Sequence, residues 1–395
     1  MATKKLTIID KTSAYIVDNM KPMLYIEYFY GIFRSRLSGR SSDTINLRMK
    51  MLGASITITW VTIFYFAVGY SIENFKQLIQ IMNNVCFMLL GFTYASSAIG
   101  FVLFHTQKYQ KAIEILAGVD IALFANIDRK VYEMSFRQCK KLITLYIMLF
   151  IASLAVSANL TKGFRRIVFL LFTFIYCQQK IEILVFCQFL YMLKQRLLII
   201  KNYLSKIKFD TNRDMFMKNT RSQFDFNFIG HISNTNYKIR DLACAYSKIG
   251  KVFMLINEIY NYFILSTLAI AFTIIILAVW SNLIDQKLSN QYFWPFSTMF
   301  YVFVELFSII LLSYYCQNII AARNGLNNLL FRITRRENLP LSMRYQANVF
   351  VELTQIWHLS INVFHMFDVN LQLILKFISI CTSALILVIQ INRLI

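Results

Sequence analysis

The chain has 395 residues, a formal net charge of +21 and a mean hydropathy of +0.52; 57% of it is hydrophobic and only 15% charged. Soluble domains carry roughly 45–50% apolar and about 25% charged residues, so a chain of this size cannot hide its apolar surface in one or two soluble cores. The balance excludes disorder, and seven Cys are too sparse for a secreted disulfide scaffold.

In chain order, the opening MATKKLTIIDKTSAYIVDNMK has no apolar h-region and no small-residue cleavage site, so no signal peptide is expected. Seven apolar spans follow, at 51–71, 78–104, 142–160, 166–190, 253–281, 292–320 and 371–392. They are continuous runs, not the ten-residue alternations of a β-barrel. With 11 Gly and 3 Pro in the whole chain, they read as long unbroken helices and not as the broken helices of a secondary transporter. The expected fold is an all-α membrane protein of seven transmembrane helices.

Lys and Arg set the orientation. Segments 1–50, 105–141, 191–252 and 321–370 hold 33 of the 41, against 6 in the alternate loops and the C-terminus. The positive-inside rule places the N-terminus in the cytosol and the C-terminus outside. This is opposite to a G-protein-coupled receptor, and neither Asp-Arg-Tyr after the third span nor Asn-Pro-x-x-Tyr in the seventh is present. Basic residues interleaved with spans are explained by topology, so no nucleic-acid partner is expected.

Several helices outrun the bilayer. The pattern over 166–204 would reach roughly 55–60 Å, against about 30 Å of hydrocarbon. Residues 237–252 lead into the fifth span in the same way. Residues 347–366 are expected to be helical, with Phe350, Leu353, Trp357, Ile361 and Phe364 on one face. Such extensions read either as a packed layer beneath the membrane or as amphipathic helices on its surface. The expected division is 1–50, a six-helix bundle over 51–320 including the extensions in 191–252, a cytosolic anchor over 321–370, and the seventh helix over 371–395.

Charges inside spans point to function by default. Glu258, at the inner end of span five, is expected to pair with an inner Lys or Arg. Glu182 has Lys180 nearby, leaving an internal pair or a ligand contact open. Glu305 sits near mid-depth in span six. In span seven, Lys376, Ile380, Ser383, Leu387 and Gln390 recur at spacings of 4, 3, 4 and 3. This heptad seam suits symmetry mates around an axis or a seam buried in the subunit's own bundle. Arg393 either rings an outer mouth or snorkels to headgroups. His105, His231, His358 and His365 show no metal spacing, and no cofactor, metal or catalytic constellation is expected.

The C-terminal 50 residues resemble the signature of insect gustatory receptors, a degenerate TYhhhhhQF in which h is apolar. Here it reads Ser383-Ala384-Leu385-Ile386-Leu387-Val388-Ile389-Gln390-Ile391, with Ser, Ala and Ile in place of Thr, Tyr and Phe. VELTQIWHLSINVFHMFDVNLQLILKFIS is similar to the family's segment before that span, and IRDLACAYSKIGKVFMLINEIYNYF to its approach to span five.

The resemblance implies a ligand-gated cation channel akin to insect odorant receptors. Four seventh helices would line one pore in a homotetramer, with related receptor subunits as further partners. Ile380, Ser383, Leu387, Gln390 and Ile391 would form the pore and gate, and Arg393 the mouth. A pocket for a small-molecule tastant would lie in the outer half of the bundle, where Tyr65, Asn83, Asn84, Ser157, Phe174, Gln178, Thr273, Trp294, Tyr301 and Glu305 are the candidates. Sugar-type members tend to carry Glu at the motif's third place; Leu385 here points to a bitter or plant-derived compound. An odorant-receptor-like or sugar-gated channel is the alternative within the superfamily. The expected location is the plasma membrane of sensory neurons.

Overall fold

The computed structural model describes residues 2–34, 47–73, 78–123, 130–160, 164–206, 237–288, 293–335 and 341–394. The elements are α1 (Ala2–Phe29), α2 (Leu47–Glu73), α3 (Leu78–Gly100), a π turn (Phe101–His105), α4 (Thr106–Ala122), α5 (Lys130–Leu160), α6 (Phe164–Lys206), α7 (Tyr237–Leu288), α8 (Phe293–Thr334), α9 (Leu341–Ile356), β1 (Asn362–Val363), β2 (Phe367–Asp368) and α10 (Leu371–Leu394). Six stretches among the described residues, in α2, α3–α4, α5, α6, α7 and α8, are long and apolar enough to cross a membrane; α10 is apolar over Leu371–Leu387.

Helix α6 is the axis of the bundle. Every residue from Ile175 to Leu190 is buried, because α1, α2, α3, α5, α7 and α8 all pack against it. A helix covered on all sides must satisfy each of its polar groups from its neighbours. Gln178, Gln179, Lys180 and Glu182 all lie in this stretch, so they belong to the core and not to a helix end.

The segment before the first apolar span carries a packed helix. Helix α1 buries Ile16, Val17, Met20, Met23 and Leu24, an i, i+3/i+4 stripe, against α4, α5 and α6. The chain then turns at Gly31, whose φ of +81° suits a residue without Cβ, and delivers Arg34 into the core.

The π turn joins α3 to α4 without a break. The Thr106 N–H bonds the Phe101 carbonyl, and its hydroxyl donates to the Phe101 and Val102 carbonyls, 3.1 and 3.2 Å away. One extra residue in the turn brings Phe101 and Tyr109, eight positions apart, onto one face, with their rings 5.8 Å apart.

The expected helix over 347–366 is corrected. Helix α9 ends at Ile356, and an irregular strap leads into a hairpin that pairs Asn362 with Asp368 and Val363 with Phe367. Leu359, Phe364 and His365 take left-handed φ values of 46°, 46° and 59°, each at a cost of about 1–2 kcal/mol. Helix α7 offsets this cost. Asn257 Nδ2 donates to the Asn362 carbonyl at 3.2 Å, Asn261 Oδ1 accepts the Phe364 N–H at 3.1 Å, and Tyr246 Oη donates to the Trp357 carbonyl at 2.9 Å. The helical periodicity was genuine as far as α9. Beyond it, tertiary hydrogen bonds override it.

Candidate functional site

Between α5, α6 and α8 lies a polar cluster sealed by aromatic rings. Lys180 Nζ donates to Glu305 Oε1 at 2.7 Å, and both side chains are buried. The ammonium also lies 4.4 Å above the Tyr176 ring. The Tyr176 ring meets Tyr301 edge-on at 5.4 Å. The Tyr301 hydroxyl lies 2.9 Å from Ser157 Oγ, and Ser157 in turn bonds Thr173. Rings, paired hydroxyls and one ion pair thus share one buried contact region of α5, α6 and α8.

A second cluster fixes α1 to the bundle. Arg34 bridges two carboxylates, donating from Nε to Glu27 Oε2 at 2.7 Å and from Nη2 to Glu182. Its guanidinium lies over Phe101 at 4.3 Å and is 5.4 Å from the Tyr260 ring centre. One cation between two buried carboxylates leaves a net negative charge. Burial therefore pushes the Glu27 carboxyl well above the usual carboxylate range, an effect that Arg34 offsets only in part and Glu182 reinforces. A third cluster joins α4 to α6: Arg196 Nε and Nη2 donate to Asp120 at 2.8 and 2.6 Å, and Tyr132 Oη donates to Asp120 Oδ2 at 2.8 Å.

These contacts resolve the readings of the three intramembrane carboxylates. Glu258 pairs with Lys108 at 2.8 Å, as expected. Glu182 does not pair with Lys180. Two positions apart on a helix, they point about 200° from each other, so Lys180 faces α8 and Glu182 faces Arg34.

Of the pocket candidates, the structure brings Ser157, Tyr301 and Glu305 together. Phe174 packs elsewhere, against Trp60 at 4.2 Å and Tyr30 at 4.6 Å. Gln178 Nε2 donates to Glu182 at 3.4 Å, on the Arg34 side. Tyr65 donates to the Met88 carbonyl and Thr273 to the Ala269 carbonyl. The side chains of Asn83, Asn84 and Trp294, and of Ile391 and Arg393, lie outside the described residues. Thr173, Tyr176 and Lys180 complete the cluster and were missed. Thr173, Tyr176 and Lys180 recur at i, i+3 and i+7 on α6, a one-face spacing that was the available signal.

On α10, Leu373, Phe377 and Cys381 form the line that packs into the subunit, against α7 and α8. Lys376, Ser383 and Gln390 are exposed, as are Ile380 and Leu387, each 59% accessible. The heptad seam is thus not buried in the chain's own bundle. Among the described residues no group of His, Cys, Asp and Glu could hold a metal ion.

Long apolar helices around a core of paired charges define a multi-pass helical membrane protein. The chain belongs to the 7tm Chemosensory receptor family, whose model matches residues 20–392; this is a receptor family and not an enzyme class. The fold is similar to that of the insect olfactory receptor OR5 from Machilis hrabei, with a TM-score of 0.66 and 12% identity over 96% of this chain and 100% of that one. The same receptor in complex with eugenol gives a TM-score of 0.63 and 13% identity, with the same coverage. No curated protein sequence matches the chain.

Proposed function

We propose that the chain is a gustatory receptor acting as a tastant-gated, non-selective cation channel, a homotetramer in the plasma membrane of sensory neurons. The observation that carries this reading is the uncovered face of α10. A heptad-spaced stripe of Ile380, Ser383, Leu387 and Gln390, left exposed by its own subunit, suits packing around a symmetry axis. Leu387 and Ile391 are the gate that closes by dewetting, and Arg393 stands at the mouth. The cytosolic N-terminus and external C-terminus rest on the Lys and Arg distribution.

The tastant binds at the Ser157–Tyr301–Glu305 cluster and is a bitter or plant-derived small molecule. The eugenol complex of the structurally similar olfactory receptor supports a small organic ligand. The decisive experiment pairs oligomer mass in detergent with recordings of Leu387→Ser. A tetramer with current in the absence of tastant, and no such current in Leu385→Ser, is expected. A monomer, or a silent Leu387→Ser channel that still answers tastant, rejects the pore assignment.

A further inference from the structure

A cavity of about 820 Å³ opens far from the Ser157–Tyr301 cluster, where the start of α7 meets α1, α4 and the strap after α9. Lys111 of α4 and Lys248 and Lys251 of α7 line it, together with Asp10, Glu114 and the indole of Trp357. The three lysines are exposed. Among the described residues, no carboxylate lies within ion-pair distance of them. The Lys108–Glu258 pair lies further along the same two helices, toward the apolar run of α7. Lys251 is roughly 10 Å along the α7 axis from Glu258. The cavity lies at the N-terminal end of the apolar run over 253–281, with Met254 and Leu255 of that run in its lining.

Its shape is built and not incidental. The Trp357 ring lies flat on Gly250, where a Cβ would come within 2.5 Å of the indole. Glycine at this position lets the indole pack closely on α7, and Trp357 joins Lys248 and Lys251 in the cavity lining. Trp357 is also the first residue after α9, and its carbonyl is held by Tyr246. The strap it begins runs through the hairpin to α10.

Ammonium groups recognise phosphates, carboxylates accept hydroxyl donors, and an indole face packs on a polyol ring. The volume is within the usual range for a ligand site. We propose that this cavity binds a phosphorylated, hydroxyl-rich headgroup, that of an inositol phospholipid in the adjoining leaflet, and that its occupancy acts on α10 through Trp357 and the strap. The leaflet is the inner one on the orientation proposed above, but binding itself needs neither that orientation nor an open pore.

The test uses the purified full-length receptor in phosphatidylcholine nanodiscs with a fluorescent phosphatidylinositol 4-phosphate. Saturable binding is expected. It should weaken about tenfold in the Lys248→Gln, Lys251→Gln double variant and stay unchanged in Lys140→Gln, a lysine on α5 away from the cavity. Gly250→Ala, which displaces the indole, should also weaken it. Phosphatidylserine at matched charge should not compete. Equal binding by the double variant, or full competition by phosphatidylserine, overturns the site. Free inositol phosphate that binds as tightly as the lipid overturns the lipid source. Because binding is read without current, a receptor that binds the lipid yet fails to conduct counts against the channel reading alone.

Discussion

At the scale of single residues, the core of this receptor is held by charges that cannot be removed one at a time. Lys180 and Glu305 are 125 positions apart and touch only through the packing of α6 on α8. Truncating one partner leaves the other charged and dry, at a cost of about 3–5 kcal/mol, whereas an apolar pair of similar volume is often neutral. Glu305→Leu and Lys180→Met should each lower surface expression sharply, and the double variant should recover most of it. Additive losses in flow cytometry would show that the ion pair is not the interaction that matters. Glu27 gives a pH signature. Its folded-state affinity for a proton exceeds that of an unfolded carboxyl, so the native state binds more protons. Stability therefore falls as pH rises from about 5 toward 8. Glu27→Gln should flatten that fall in the melting temperature of purified receptor; an unchanged slope would assign the titration elsewhere. Glu305 was legible from sequence because a carboxylate within an apolar span needs a partner. The identity of that partner was not, because a helix fixes which face a residue points from and not which helix comes to meet it.

Among the elements, those with strong helical periodicity were legible and those set by long-range contacts were not. Helix α6 showed its length, but its polar residues did not show that it is covered on all sides. Helix α1 carries a readable stripe, Ile16 to Leu24, but it is not an apolar run long enough to stand out beside the spans. The hairpin at 362–368 had no local signal: no Gly or Pro marks its turn, and three residues accept left-handed backbone only because Asn257, Asn261 and Tyr246 hold the strap. Glycines separate packing from propensity in the same way. A Cβ on Gly53 would meet the Gly31 carbonyl oxygen at 2.7 Å and Phe33 at 2.8 Å, while one on Gly100 would meet nothing. Gly53→Ala should destabilise by about 1–3 kcal/mol through overpacking. Gly100→Ala should stabilise by about 0.5–1 kcal/mol through helix propensity. Thermal unfolding of the two purified variants checks the opposite signs. Equal shifts would mean that the α1–α2 junction yields to accommodate the methyl.

Across the whole molecule, the charge asymmetry predicts its sidedness. A C-terminal tag should be stained by antibody on intact cells and an N-terminal tag only after permeabilisation; the reverse pattern would overturn the orientation and, with it, the side from which tastant enters. The π turn has a different kind of consequence, one that concerns the history of the chain. A five-residue turn is what remains when an α-helix absorbs one inserted residue and keeps the phase of its flanks. The helix from Leu78 to Ala122 therefore contains a position that can be lost. Deleting exposed Leu103 should relax the turn to ordinary α-helix while Phe101 and Tyr109 continue to face Arg34. Deleting Ile147, also exposed but within regular α5, should rotate everything beyond it by about 100° and abolish surface expression. Relatives one residue shorter in this helix would then be read as the uninserted form, and the stacking of Phe101 on Arg34 as the arrangement that insertion had to preserve.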